Sequence, residues 1–208
     1  MVEIIKVPDD IADGVESEVY APLKPIWQFY RNTTEFYSKM ATPAERKILD
    51  AHAAKYGPMI DTQRLTYPLF SPGLREKEPS YEEVIADPNS RLRRVFRHVP
   101  ALVRYLTLKH IPPNYKVHRC MMNLQTIRPQ WSLNAIHPDV RIPGAITILY
   151  YVNTSDGDTF FFNDEECIKR VPPIKGTAAK YPSSMFHAGS TPVKNETRSV
   201  INIVFQPV

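Results

Sequence analysis

The sequence has few cysteines and glycines and no long apolar run. Its two cysteines, Cys120 and Cys167, lie far apart and form no C-x-x-C pair, which predicts free thiols and excludes a zinc site made of cysteines. No apolar run approaches the roughly 18 residues that a membrane-spanning helix requires. Residues 1–6 lack the pattern of a signal peptide. We therefore expect a cytoplasmic protein without membrane contact.

Proline is abundant and glycine is scarce, since the 208 residues include 20 prolines and 7 glycines. Because proline fixes φ and interrupts helices, this balance predicts many strands and turns rather than long helices. The net charge of +4 permits an anionic substrate or a nucleic acid. The basic residues are scattered, however, which favours an ordinary solvated surface over a surface that binds nucleic acid. At this length we expect a single domain, residues 1–208.

Residues 1–115 are predicted to be mainly helical support. Two S/T-x-x-E capping boxes and one apolar stripe with spacings of three and four mark the helices. The predicted helices cover residues 42–56, 80–86 and 92–106, and a short strand and a further helix are expected near residues 3–7 and 26–37.

From Lys116 onward the pattern becomes that of short strands separated by turns. The predicted strands cover residues 117–126, 145–152, 159–162, 168–172, 177–181, 184–187 and 199–206. An all-β half that follows a helical half predicts one α+β domain, with residues 116–208 as its β core.

Three residues of this β half suggest a metal site. His137-Pro138-Asp139 places an imidazole and a carboxylate at i and i+2, which point the same way in a strand. His187 follows after a few predicted strands and could supply a second imidazole. Taken singly, His137-Pro138-Asp139 is explained as well by a turn as by a metal site. His187 alone is likewise explained by a buried histidine that binds no metal. Together they form a 2-His-1-carboxylate set, which suits Fe(II) and also catalytic zinc.

Arg198 helps to distinguish an Fe(II) site from a zinc site. An arginine pairs with a carboxylate through two parallel hydrogen bonds, so Arg198 could hold one end of a diacid whose other end binds the metal. A zinc hydrolase has no general need for such an anchor. The alternative for Arg198 is a surface charge that precedes a strand.

Further motifs accompany this set in the expected order. Tyr-x-Asn ends the buried strand after H-x-D, and D-G-x-T-x-F, Pro-x-x-G and His-Ala-Gly follow. With these motifs the chain resembles the Fe(II)/2-oxoglutarate-dependent oxygenases over residues 117–206. It is most similar to the prolyl 4-hydroxylase-like branch and to related phage-encoded members. The matching positions are 137–139, 151–153, 156–161, 173–176 and 187–189, with Arg198 downstream.

The resemblance implies a double-stranded β-helix core, a jelly roll of cupin type, with supporting N-terminal helices. It implies that His137, Asp139 and His187 are the catalytic metal ligands and that Arg198 binds 2-oxoglutarate. Asn134 stands where prolyl hydroxylases usually carry a tyrosine that also holds this cosubstrate. The second anchor is therefore open, and the candidates are Asn123, Tyr150 and Tyr151.

The resemblance also implies the reaction. Fe(II), 2-oxoglutarate and O₂ would hydroxylate a C–H bond and release succinate and CO₂, with ascorbate as a candidate stimulant. The expected substrate is a peptidyl residue such as proline in a peptide or protein, or a small amino-acid-like molecule. Two alternatives remain open: a nucleic-acid dealkylating oxygenase of the same superfamily and a non-catalytic, cupin-like metal-binding module. Val204 disfavours the first, because that branch carries a second arginine at this position.

The proline-rich segment Met59–Pro79 predicts a long irregular connection between two helices. It is either a packed surface loop or a lid over the metal site. As a lid it would bring Tyr67 to the substrate. Trp131 and Arg141, close in sequence to the first ligands, would then form the opposite wall.

Overall fold

The computed structural model describes residues 1–21, 28–30, 41–56, 64–70, 79–88, 90, 96–164 and 166–208, of which residues 28–30 and 64–68 are described by their backbone alone. Ten strands in this part of the chain form two antiparallel sheets. The major sheet has the order β1-β8-β5-β10-β4-β3-β2, and the minor sheet has the order β7-β6-β9. The strands are β1 (Glu3–Lys6), β2 (Gln28–Tyr30), β3 (Arg64–Phe70), β4 (Tyr115–Thr126), β5 (Ile146–Tyr151), β6 (Thr159–Phe162), β7 (Cys167–Val171), β8 (Thr177–Pro182), β9 (Phe186–Gly189) and β10 (Thr197–Pro207).

Four helices lie in the described residues: α1 (Asp9–Tyr20), α2 (Pro43–Tyr56), α3 (Tyr81–Ala86) and α4 (His98–His110). None of the helices described is long and apolar enough to cross a membrane. Helices α1 and α4 pack on one face of the major sheet, whereas the minor sheet packs on the other.

The alternation of side chains along β10 shows how this layering follows from the sequence. Ile201, Ile203 and Phe205 belong to the apolar core beneath the helices. Val200, directly before Ile201, belongs to the core between the two sheets. Since successive residues of a strand point to opposite faces, one apolar strand serves both cores. The residues of β10 that face the minor sheet are therefore the ones available to a site between the sheets.

Helix α2 covers the outer face of the minor sheet. His52 Nε2 lies 3.0 Å from the carbonyl oxygen of Asn163, and the hydroxyl of Tyr56 accepts a 3.0 Å hydrogen bond from the backbone N–H of Cys167. The rings of His52 and Tyr56 both pack edge-on against Phe162. These contacts hold β6, which lies next to β9 in the minor sheet. β9 carries His187.

Both capping-box helices are confirmed. Thr42 and Glu45 exchange reciprocal hydrogen bonds at the start of α2, and Ser80 and Glu83 do so at the start of α3. All seven strands predicted in the β half are present, with ends that differ by at most two residues. Cys120 and Cys167 are both free thiols.

The predictions for residues 1–115 need correction. Gln28–Tyr30 is a strand rather than part of a helix, and α1 was not predicted. The Met59–Pro79 segment is not irregular throughout, because Arg64–Phe70 is β3 and pairs with β4 inside the major sheet. Residues 59–63 and 71–78 of the expected lid lie outside the described residues. Three strands of the major sheet thus come from the half that was predicted to be mainly helical.

Candidate active site

Two histidines face each other in an antiparallel backbone pair beside the minor sheet. The backbone N–H of His137 donates to the carbonyl of His187 at 3.0 Å, and that of His187 donates to the carbonyl of His137 at 3.1 Å. Residues paired in this way project their side chains to the same face of a sheet. The ring centroids consequently lie 4.8 Å apart.

Both imidazole rings are oriented by the same type of hydrogen bond. Nδ1 of His137 lies 2.8 Å from the carbonyl oxygen of Ala135, and Nδ1 of His187 lies 3.1 Å from that of Met185. A carbonyl oxygen can only accept, so each Nδ1 carries the proton and each Nε2 offers a lone pair. A histidine prepared in this way binds a metal ion through Nε2.

Asp139 completes a group of three potential metal ligands. One ligand atom from each of His137, Asp139 and His187 lies within 4.8 Å of the others. Asp139 Oδ2 is 3.7 Å from Nε2 of His187. The backbone N–H of Asp139 donates to the carbonyl of Ser183 at 2.9 Å, which anchors the segment that carries the carboxylate. Two imidazoles and one carboxylate are the donor set of non-heme Fe(II) sites, and the residues present fit that ion.

Three side chains donate hydrogen bonds to the Asp139 carboxylate. Oδ1 accepts from Arg119 Nη2 at 3.2 Å and from Asn202 Nδ2 at 2.9 Å. Oδ2 accepts from the hydroxyl of Tyr181 at 3.0 Å. Together these bonds hold the carboxylate beside the two imidazoles, with Oδ2 on the side of His187.

The Asp139 carboxylate is buried, with a side chain 4% exposed. Burial by itself would raise the pKa of Asp139. Electrostatic attraction to His187 and His137 in their protonated form, and to Arg119, outweighs burial and holds the pKa below its usual value. The group therefore stays ionised, as a metal ligand must be.

Arg198 lies between the two sheets and is surrounded by hydrogen-bond acceptors. Its Nε donates to the carbonyl of Gly157 at 2.5 Å, Nη1 to Oε1 of Gln125 at 3.3 Å, and Nη2 to Oγ1 of Thr159 at 2.8 Å. The hydroxyl of Tyr151 donates to the same Thr159 oxygen at 2.9 Å. These contacts fix the plane of the guanidinium group.

No carboxylate of the described residues lies within 4.0 Å of the Arg198 nitrogens, although the residue is only 5% exposed. The nearby Asp158 pairs instead with Arg170. Burial lowers the pKa of Arg198, which reflects the cost of placing this charge in the interior. A buried guanidinium with neutral partners alone is well suited to an anion that enters from outside.

Two of the sequence motifs hold the backbone around Arg198. The side-chain oxygen of Asn153 accepts from the N–H of Ser199 at 2.8 Å, and its amide donates to the carbonyl of Thr197 at 2.9 Å. The Tyr-x-Asn motif therefore fixes the residues on either side of the arginine. Asp156 of the next motif accepts three backbone hydrogen bonds of 3.0–3.1 Å in the turn before β10, from Val193, Lys194 and Asn195.

Comparison with solved structures gives the fold. An oxidoreductase of the 2OG-Fe(II) oxygenase family from Burkholderia pseudomallei superposes with a TM-score of 0.50 at 12% sequence identity, covering 94% of this chain and 90% of that chain. The apo form of the non-heme monooxygenase ThoJ also gives a TM-score of 0.50, at 11% identity, covering 98% of this chain and 74% of that chain. The fold is that of the 2OG-Fe(II) oxygenases.

A prolyl-4-hydroxylase from Pseudomonas putida is similar at a TM-score of 0.42 and 13% identity, covering 94% of this chain and 98% of that chain. A likeness at that level does not distinguish one branch of these oxygenases from another. No protein-family model matches the sequence, and no curated protein matches it either.

The 2OG-Fe(II) oxygenase fold brings some of the predicted site residues together. His137, Asp139 and His187 form one cluster, and Tyr151 joins Arg198 through the shared Thr159 hydroxyl. Tyr150, the other tyrosine considered as an anchor, lies in the core beneath the helices instead. Asn123 lies on β4 opposite Val200, and its role as a cosubstrate anchor stays a prediction.

Two of the three predicted substrate residues, Trp131 and Arg141, are not part of either cluster. Trp131 is 51% exposed and packs edge-on against Phe160 at 6.1 Å. Arg141 forms a two-bond salt bridge with Glu45 at the start of α2. Tyr67 belongs to β3, where its side chain lies outside the described part of the structure. The substrate roles of Trp131, Arg141 and Tyr67 stay predictions.

Sequence reasoning missed the side chains that surround the ligands. For Asn202 there was a signal, because an amide in the apolar run SVINIVF must find a buried partner. Thr159 was part of a quoted motif but was given no role. For Arg119 and Tyr181 there was no local signal, since their proximity to Asp139 depends on how β4 and β8 pair within the sheet.

Proposed function

We propose that this protein is an Fe(II)- and 2-oxoglutarate-dependent dioxygenase that hydroxylates a C–H bond of a peptidyl or small amino-acid-like substrate. The observation that carries the proposal is the combination of a His-Asp-His ligand group with a buried arginine that has no carboxylate partner in the described residues. A metal-binding module would need the first feature alone.

The spacing of the two features suits a five-carbon diacid. Gly189 lies two residues after His187 on β9 and directly faces the Arg198 guanidinium. Two residues of a strand span roughly 7 Å. This is the length scale of an extended 2-oxoglutarate molecule, which could therefore reach from the metal ligands to Arg198.

The protein residues have separate tasks in this reaction. His137, Asp139 and His187 would hold Fe(II), while Arg198 and Thr159 would receive the distal carboxylate of 2-oxoglutarate. When bound, Fe(II) and 2-oxoglutarate together with O₂ supply the oxidation of a substrate C–H bond, with release of succinate and CO₂. Phe161 and Tyr181 pack edge-on at 4.8 Å and exclude water from the space behind His187.

The test is a screen for succinate formation by the purified protein with Fe(II) and 2-oxoglutarate, against a library of peptides and amino acids. Prolyl peptides form one arm and free amino acids the other. Asp139→Ala serves as the matched control and should form no succinate above the protein-free background. A wild-type protein that binds neither Mn(II) nor 2-oxoglutarate would refute the proposal regardless of the library used.

A further inference from the structure

Arg119 is a second arginine close to the candidate metal ligands, in addition to the cosubstrate anchor. It lies on β4 opposite Val204, and its Nη2 donates to Asp139 Oδ1 at 3.2 Å and to Oδ1 of Asn202 at 3.3 Å. Its side chain is 24% exposed, whereas that of Asp139 is 4% exposed. Arg119 is therefore the more solvent-accessible member of this ion pair.

The hydrogen-bonding capacity of Arg119 is only partly used. A guanidinium group has five N–H donors, and both described bonds to side chains leave from Nη2. The Nε–H is buried and has no acceptor among the described residues. The donors that an arriving ligand can reach are therefore those of Nη1, which make none of the described bonds.

The charge of the loaded site also favours an additional anion. Asp139 and the two carboxylates of 2-oxoglutarate bring three negative charges. Fe(II) brings two positive charges, and Arg119 and Arg198 bring one each, while histidine ligands are neutral. One positive charge thus remains uncompensated beside the buried side chains of Asp139 and Arg198, where an unpaired charge is unfavourable.

We propose that Arg119 binds a carboxylate group of the organic substrate beside the metal centre. This inference rests on the proposed oxygenase function and deepens it, because it restricts the substrate to molecules that carry a carboxylate near the reacting carbon. A free amino acid offers its α-carboxylate, and a peptide offers an aspartyl or glutamyl side chain. A neutral prolyl residue inside a peptide offers carbonyl oxygens as acceptors but no negative charge to offset that of Arg119.

The experiment measures binding to wild-type protein loaded with Mn(II) and 2-oxoglutarate, by calorimetry in the absence of turnover. The probes are the common L-amino acids, their α-carboxamides, and terminally blocked peptides that contain Asp, Glu, Asn, Gln or Pro. We expect at least one carboxylate probe to bind and its amide counterpart to bind about tenfold or more weakly. The two arms distinguish an α-carboxylate from an acidic side chain.

The Arg119→Met variant should bind that carboxylate probe about tenfold or more weakly than wild type does. Its weak binding of the amide counterpart should be unchanged. Arg119→Lys should recover part of the loss, because it restores the charge but not the planar fork. Arg104→Met is the matched control, since Arg104 is exposed on α4, which packs against the opposite face of the major sheet.

Several results would overturn the inference while the proposed function stands. Acids and amides could bind wild-type protein equally well, or Arg119→Met could bind the acid as tightly as wild type does. The wild-type protein could also bind only neutral prolyl peptides, or none of the probes. In each of these cases Mn(II) and 2-oxoglutarate still bind the wild-type protein. If the Arg119 variants do not fold, the comparison of acids with amides on wild-type protein still decides the question.

Discussion

Gly189 lies against the guanidinium group of Arg198, in a contact that leaves little room for a side chain. A Cβ atom at Gly189 would be 3.0 Å from Cζ of Arg198 and 3.1 Å from both terminal nitrogens. Gly157 approaches the same side chain, since its Cβ would be 2.8 Å from Cδ of Arg198. Two motif glycines therefore act by admitting the arginine into the space between the sheets.

Gly189→Ala should weaken 2-oxoglutarate binding without affecting the metal ligands. The added methyl group must push the guanidinium away from Thr159 and Gln125, and overpacking of this kind typically costs about 1–3 kcal/mol. We expect the dissociation constant for 2-oxoglutarate, measured by calorimetry with Mn(II) present, to rise by about five- to hundredfold. Mn(II) affinity measured without 2-oxoglutarate is the internal control and should stay within about twofold.

Replacement of Arg198 should have a larger effect on the same equilibrium. Loss of one side of a buried charge pair typically costs about 3–5 kcal/mol, so Arg198→Ala should weaken 2-oxoglutarate binding by roughly two to three powers of ten. Arg198→Lys should lose less, because it keeps the charge. Iron affinity should change little in either variant. Cosubstrate affinity that is untouched in Arg198→Ala would remove Arg198 from the binding site.

The residues themselves show which parts of this structure could be predicted from sequence. The helix starts at Thr42 and Ser80 were predictable because capping involves residues three apart in the chain. β3 was missed because it contains Pro68, which argues against a strand in the middle of a sheet. The described part of β2 pairs with residues 64–66 of β3, and the register between β3 and β4 shifts directly after Pro68.

The same distinction applies to the candidate site. His137, Asp139 and Arg198 were found through motifs, which record short spacings along the chain. The donors to Asp139 come from three different strands, and their convergence is a consequence of sheet register. The alignment of Arg119 with Val204, next to a register shift in β10, cannot be obtained from the local pattern of either strand.

Removal of any one of the three ligand side chains should abolish metal binding. His137→Ala, Asp139→Ala and His187→Ala each leave two protein ligands, too few to hold the ion in the open 2-His-1-carboxylate geometry. We expect wild-type protein to bind one Mn(II) or Fe(II) per chain and each variant to bind none after desalting, as measured by elemental analysis. His118→Ala, at a partly buried histidine on β4 outside the cluster, should keep full occupancy. Full occupancy in all three ligand variants would contradict the assignment.

The Arg141–Glu45 salt bridge should make the docking of α2 depend on pH. The hydrogen bonds from Arg141, at 2.6 and 2.7 Å, are the largest reason why the pKa of Glu45 falls from 4.5 to about 2. Because this pKa is depressed in the folded state, the stabilisation is fully present above about pH 4.5 and is lost as the pH falls toward 2. Arg141 is 46% exposed, so solvent screens the pair, and its worth is about 1 kcal/mol or less.

Glu45→Gln isolates this contribution, because glutamine can still complete the capping box but cannot form the ion pair. Thermal unfolding should show the variant to be less stable than wild type at about pH 7, with the difference shrinking below about pH 4.5 and disappearing by about pH 2. Glu83→Gln is the matched control, since Glu83 completes the corresponding capping box of α3 without an arginine partner among the described residues. It should show a smaller difference at neutral pH. A Glu45→Gln variant as stable as wild type at neutral pH, or a difference that persists at low pH, would show that Arg141 does not hold α2 through this carboxylate and would leave Arg141 available to a substrate.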